Sequence, residues 1–190
     1  MQPARQTWRE PAVQADVSRW VVYDESSAKT NMTRLYGRRF DGRRLVDACP
    51  HGHWATTTVL GALRPDGTTV AMPLEGPVDT LAFEAYVEKV LLPTLTSGDV
   101  FVLDNLQVHK SAQVARRWQD AGVKLCFLPP YSPDYNPIEA MWSKVKALLR
   151  KFKARTQETL HEAIRQALAA VTPQDAAGWF HHCGYQYTHT

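Results

Sequence analysis

Two short apolar runs in this chain each end on an acid. Trp20-Val21-Val22-Tyr23 runs into Asp24, and Val100-Phe101-Val102-Leu103 runs into Asp104. Four apolar residues without alternation predict a strand buried on both faces, as in a sheet covered by helices on either side. Val123 to Leu128 is a third such run, cut by Pro129-Pro130. Trp54 to Leu63 and Thr68 to Leu74 flank Arg64-Pro65-Asp66-Gly67, a strong turn signal, and predict a hairpin. From Asp79 the period becomes helical, with Phe83, Tyr86, Val87, Val90 and Leu91 on one face, Asp79 or Thr80 as N-cap and Pro93 as the stop. Ser111 caps a second predicted helix through Trp118, which stops at Gly122. The Pro-rich stretch 129–137 leads into a long helix to about Lys153. Thr156 opens another, with Leu160, Ile164, Leu168 and Val171 on one face, and Thr172-Pro173 opens a last short one. Residues 25–52 carry little periodicity and read as an extended loop or irregular hairpin. The order predicts an α/β chain, a mixed five-stranded sheet flanked by helices.

Composition narrows the classes. A chain of 190 residues with 44% apolar content is one domain of ordinary globular make-up, which excludes intrinsic disorder. No apolar run approaches the ~18–20 residues of a membrane span, and the Met-Gln-Pro-Ala-Arg-Gln start has no apolar core of a secretory signal. Cys49, Cys126 and Cys183 are widely spaced, as for reduced thiols in a cytoplasmic protein. Net charge is only +3, yet Lys144, Lys146, Arg150, Lys151, Lys153 and Arg155 follow one another with no acid between. Arg34, Arg38, Arg39, Arg43 and Arg44 stand against Asp41 alone. Such patches suit a polyanion partner, the alternative being a solvated helix face and a basic loop.

Sites in open α/β sheets gather at the carboxyl ends of strands, where Asp24 and Asp104 are predicted to lie. A strand-exit Asx-turn would also explain either one. In Asn136-Pro137-Ile138-Glu139, Asn at the N-cap, Pro at N1 and Glu at N3 make a capping box that would account for Glu139. The helix beyond puts Ile138, Met141, Trp142, Val145, Leu149 and Phe152 on its core face. Glu139 begins the adjoining stripe, continued by Ser143, Lys146, Arg150 and Lys153, and a capping box does not require that cationic row. Three converging carboxylates need a counter-charge, which magnesium supplies to oxygen ligands. Two such ions would clamp an in-line phosphoryl displacement while the basic stripe holds a nucleic-acid backbone. The residues alone thus point to a metal-dependent nuclease or strand transferase. Glu25 is expected to orient the site or pair with a cation.

Three blocks carry a resemblance: Tyr-Asp-Glu-Ser-Ser-Ala-Lys-Thr-Asn-Met (23–32), Val-Leu-Asp-Asn-Leu-Gln-Val-His-Lys (102–110) and Leu-Pro-Pro-Tyr-Ser-Pro-Asp-Tyr-Asn-Pro-Ile-Glu-Ala-Met-Trp (128–142). They resemble the catalytic blocks of the DDE transposases of the mariner superfamily, most closely its bacterial insertion-sequence branch. The resemblance covers roughly residues 19–172. It implies a ribonuclease-H-like fold, with Asp24, Asp104 and Glu139 holding two Mg2+ ions, for which Mn2+ substitutes. It also implies cleavage at transposon ends and attack of the freed 3′-hydroxyl on target DNA. Asn105 and His109 match positions beside the second Asp, with supporting roles, as Asn136 has at the third block. DNA contacts are expected from Arg38, Arg39, Lys144, Lys146, Arg150 and Lys153, and a homodimer at least in the DNA complex.

The expected organisation is an arm or linker remnant over 1–18, the catalytic domain over 19–172, and a short helix and tail over 173–190. Residues 1–18 are too few for the helix-turn-helix modules that precede this domain in full-length relatives, so a separate polypeptide is one source of them. Two rivals stay open: a truncated or domesticated, catalytically silent DNA-binding copy, and another ribonuclease-H-like nuclease. His51, His53, His181, His182 and Cys183 lack the spacing of a closed zinc site.

Overall fold

The structure, a computed structural model, describes residues 5, 7, 8, 16–104 and 112–187, without the side chains of 112 and 113. Five strands form one sheet: β1 (Trp20–Lys29), β2 (Thr56–Leu63), β3 (Thr69–Glu75), β4 (Val100–Leu103) and β5 (Lys124–Phe127), in the order β3-β2-β1-β4-β5. β1, β2 and β3 pair antiparallel, while β1–β4 and β4–β5 are parallel, so the sheet is mixed, as predicted. The helices are α1 (Thr80–Tyr86), α2 (Ala112–Asp120), α3 (Ile138–Phe152), α4 (Gln157–Ala169) and α5 (Pro173–His182). Asp79 caps α1, accepting from the Ala82 N–H at 2.8 Å. That helix runs on through a π-turn over Val87–Leu91 and a 3-10 turn over Leu92–Thr94 that contains Pro93. Thr156 and Thr172 open α4 and α5 with capping boxes. Ser111 lies outside the described residues.

Period-two alternation in the central strands divides the core. Val21 and Tyr23 of β1 join Phe101, Leu103, Phe83, Tyr86, Leu91 and Trp118 on the face covered by α1 and α2. Trp20 and Val22 join Val102, Ile138, Trp142, Val145, Leu149, Ile164 and Phe180 on the face covered by α3, α4 and α5. Each such large side chain contributes roughly 1.5–3 kcal/mol on burial. Phe180 and Tyr185 are part of this core, so the closing helix packs on the body of the fold. No helix among the described residues is long and apolar enough to cross a membrane.

Four expectations need correction. β1 does not stop at Tyr23: it pairs with β2 as far as Lys29↔Thr56, because the polar residues after Asp24 still have a ladder partner. The loop therefore starts later, and residues 34–54 are exposed throughout. The run 123–128 is not a doubly buried strand, since β5 is an edge strand with Lys124 and Phe127 exposed. The capping box of α3 does not form: Pro137 takes the N-cap position without a side-chain bond. Phe152 is 40% exposed, because α3 ends there, with Lys153 in the left-handed conformation at φ 52°.

Candidate active site

The parallel pairing of β1 with β4 is recorded to Val22↔Val102, while β1 continues along β2. Two residues beyond that last pair stand Asp24 on β1 and Asp104 at the exit of β4. Both acids therefore sit where neighbouring strands part, a place where the backbone leaves room for a ligand. Asp24 shares the sheet face of Val22, two residues before it, and so faces α3.

Three contacts bring the third carboxylate to the same place. The Asn136 side-chain amide donates to the Tyr23 carbonyl at 3.1 Å, fastening the start of α3 to β1 one residue before Asp24. This buried bond occupies the side chain that the sequence suggested as a helix cap, and its Oδ1 accepts only a long 3.4 Å bond from Ile138 N–H. Gly61 lies opposite Asp24 in β2, and a Cβ there would come within 2.6 Å of the Trp142 ring. The missing side chain lets Trp142 lie directly on the sheet, which sets the height of α3 and of Glu139 one turn earlier. On the other side, the Leu128 N–H donates to the Leu103 carbonyl at 2.8 Å, fastening the Pro-rich loop to β4 beside Asp104.

Asp24, Asp104 and Glu139 line one cleft of about 430 Å³, closed on its other wall by Leu128, Pro129, Pro130, Tyr131 and Pro133. Asp24 and Asp104 are half-buried and Glu139 is exposed. Burial, then the Glu139 carboxylate, push the Asp24 carboxyl up to about 7, with the Glu25 backbone N–H opposing and Glu25 and Asp104 adding to the rise. The described lining holds carboxylates and no lysine or arginine. Among the described residues no three His, Cys, Asp or Glu side chains stand close enough together to hold a metal ion as they are.

Glu25 is not brought to the cleft. Its carboxylate accepts the Tyr23 hydroxyl at 2.8 Å, on the opposite face of β1 from Asp24. Asn105 and His109 lie outside the described residues. Of the expected DNA contacts, Lys144 pairs with Asp175 and donates to the Ala170 carbonyl, which turns it toward α5. Arg39 pairs with Asp41 at 2.6 Å and Lys153 with Asp47 at 2.5 Å. Lys146 and Arg150 lie half-exposed along the stripe of α3 that starts at Glu139, and Arg38 is exposed in the long loop. Sequence reasoning missed the Gly61–Trp142 contact, although an isolated glycine inside a strand signals a close approach. It also missed the proline and tyrosine wall, and Arg5, which reaches the Tyr131 carbonyl, Ser132 and Asp134.

A family model described as DDE superfamily endonuclease matches residues 19–161. The Tcb2 transposase of Caenorhabditis briggsae is 25% identical over 171 residues, which cover 88% of this chain and 62% of that protein. The chain thus spans less than two thirds of this relative's length. The Mos1 transposase paired-end complex with left transposon end superposes with a TM-score of 0.77 at 16% identity, covering 94% of this chain and 57% of that one. The Mos1 transposase catalytic domain with raltegravir and Mg superposes with a TM-score of 0.70 at 14% identity, covering 94% and 87%. These superpositions show the shared ribonuclease-H-like fold. With that family model matched over residues 19–161, the chain belongs to the DDE superfamily endonucleases.

Proposed function

We propose that the chain is the catalytic part of a DNA transposase, which cuts DNA at element ends and joins the freed 3′-hydroxyl to target DNA. The observation that carries the reading is the convergence of Asp24, Asp104 and Glu139 on one cleft, from two diverging strands and a helix start. An all-oxygen set fits magnesium, with manganese as a substitute. Burial first, and the neighbouring Glu139 carboxylate second, raise Asp24, and a divalent cation would offset both. When bound, two such ions would supply activation of the attacking oxygen and neutralisation of the leaving one. The protein's own part is to hold and orient. Asp24, Asp104 and Glu139 act as ligands rather than nucleophiles, and Asn136 keeps Glu139 in register with Asp24. In cutting, water attacks the scissile phosphorus and the bridging 3′-oxygen leaves as the 3′-hydroxyl. In joining, that 3′-hydroxyl attacks a target phosphorus and displaces the target's own 3′-oxygen, with no covalent enzyme intermediate. Asn105 and His109 keep the supporting roles that the resemblance implies, orienting Asp104 or touching DNA.

The complex with transposon-end DNA formed by Mos1 supports DNA as the partner. Lys146 and Arg150 would carry the backbone along α3, joined by the exposed Arg38, with Arg39, Lys144 and Lys153 recruited where DNA displaces their present acids. The exposed Leu35, Tyr36, Phe40 and Val46 of the long loop support a homodimer in the DNA complex. End recognition would come from a helix-turn-helix segment, on this polypeptide or a separate one. The Asn-Pro-Ile-Glu block supports the bacterial insertion-sequence branch, and with it a cytoplasmic, nucleoid-associated protein. Residues 19–172 would form the catalytic unit, between an arm or linker remnant over 1–18 and a short helix and tail over 173–190. The test is nicking of supercoiled plasmid with magnesium or manganese, beside Asp104→Asn and Glu139→Gln. Metal-dependent nicking lost in both variants is the expected result. DNA binding without nicking by the parent chain would overturn the catalytic reading.

A further inference from the structure

The wall facing the carboxylates contains a residue whose conformation its packing does not explain. Tyr131 adopts φ 54°, in the left-handed region that a bulky side chain rarely enters and glycine enters freely. Its side chain gains no burial in return, since 84% of the residue is exposed. Among the described residues its phenol makes no hydrogen bond and its ring stacks on no other ring. Strain retained without a packing gain is a mark of a functional position.

The loop around it is held on both sides. Pro129 and Pro130 restrict the chain before it, and the Arg5 guanidinium donates to the Tyr131 carbonyl at 3.3 Å and to Ser132 Oγ at 3.1 Å. The same group pairs with Asp134 and lies 4.6 Å from the centre of the Tyr135 ring. The Tyr185 hydroxyl donates to the Tyr135 carbonyl at 2.6 Å. A loop held on both sides therefore carries one exposed, unengaged aromatic residue at the cleft that Asp24, Asp104 and Glu139 line. The cleft has an acidic wall and an apolar wall of proline and tyrosine. Its volume of about 430 Å³ lies at the small end of ligand pockets, suited to one nucleotide rather than a duplex.

We propose that Tyr131 is a positioning residue that stacks on the base next to the scissile phosphate, drawn out of the duplex while the carboxylate side holds the phosphate. This rests on the transposase reading above and adds to it the handling of a single unpaired base. Stacking is tolerant of base identity, so it positions DNA at the cut without reading sequence.

Tyr131→Gly separates the two explanations of the strained backbone. Glycine suits φ 54° better than tyrosine does, so a purely structural role leaves the variant folded and cutting at the parental rate. A stacking role lowers kcat/KM for plasmid nicking about tenfold or more, with the thermal midpoint unchanged or higher, and Tyr131→Trp restores most of it. As a direct readout, 5-iododeoxyuridine is placed beside a pre-formed nick in a short duplex and irradiated with the protein in calcium. The expected cross-link falls on the peptide containing Tyr131 and disappears in the glycine variant. Parental nicking by Tyr131→Gly, or a cross-link that survives in that variant, overturns this inference and leaves the transposase reading standing. A parent chain that never nicks DNA with metal overturns both.

Discussion

The junction of β1, β2 and α3 and the long loop over 34–54 are joined through β1, yet they are built in opposite ways. At the junction nearly every contact is buried: Asn136 to the Tyr23 carbonyl, Trp142 against Gly61, Val22 and Val59 beneath Met141 and Val145. The loop buries nothing between 34 and 54 and leaves Phe40 and Tyr36 almost wholly in solvent. It is tied down near its roots, where Arg155 donates to the Thr30 and Met32 carbonyls and Thr30 and Ala55 exchange hydrogen bonds. Stability is thus concentrated where the carboxylates are positioned, and the loop is free to serve a partner at little cost to the fold.

The sharpest way to break this contrast is Gly61→Val. Its side chain would overlap the Trp142 ring, lift α3 from the sheet and cost about 3 kcal/mol, read as a lower denaturant midpoint. A midpoint unchanged from the parent would mean that Trp142 does not set the height of α3.

Next in size is the charge at the junction. The Asp24 carboxyl is raised to about 7, so its folded form favours the proton. That contribution is full below the ordinary carboxylate range and lost as pH rises through about 7. Metal-free Asp24→Asn, which cannot ionise, should then be about 2 kcal/mol more stable than the parent near pH 8 and level with it near pH 4. Thermal unfolding at both pH values in a chelator checks this. Equal differences at the two would deny that burial and the nearby Glu139 carboxylate raise Asp24.

Asn136→Ala removes the buried bond that ties the start of α3 to β1, an expected loss of about 1.5 kcal/mol. Nicking should fall by more than the lost stability explains, because Glu139 loses its register with Asp24. Along the line where the two regions meet, Lys146→Glu should weaken DNA binding several-fold. Its log–log salt dependence should fall by about one unit of slope, measured by anisotropy. An unchanged slope would remove DNA from the α3 stripe. Smallest of all, replacing 34–54 with a short Gly-Ser linker should shift unfolding free energy by less than about 0.5 kcal/mol. A larger loss would show that the loop braces the fold after all.

The contrast also marks how far the sequence could be read. Strand and helix identities were legible because apolar period reports burial: Val100–Leu103 and the Ile138–Leu149 face lie where the pattern put them. The ends were not. β1 runs past Asp24 because β2 offers a ladder partner from a distant segment, and no local pattern carries that. The Lys144 ammonium was legible as basic, but its commitment to Asp175 needed the packing of α5 on α3.

By itself the sequence determined the order of elements, the two strand-linked aspartates and the Asn-Pro-Ile-Glu helix start, since residue chemistry and spacing are local properties. It also carried the family, through three blocks in order. Only the tertiary structure decided that Asn136 spends its amide on β1 rather than on its own helix, and that Gly61 is the floor on which Trp142 rests. It alone put Tyr131 in a strained conformation opposite the carboxylates. Each of these joins residues far apart in the chain, and such a choice is made by which buried polar group finds a partner and which close approach a missing side chain permits.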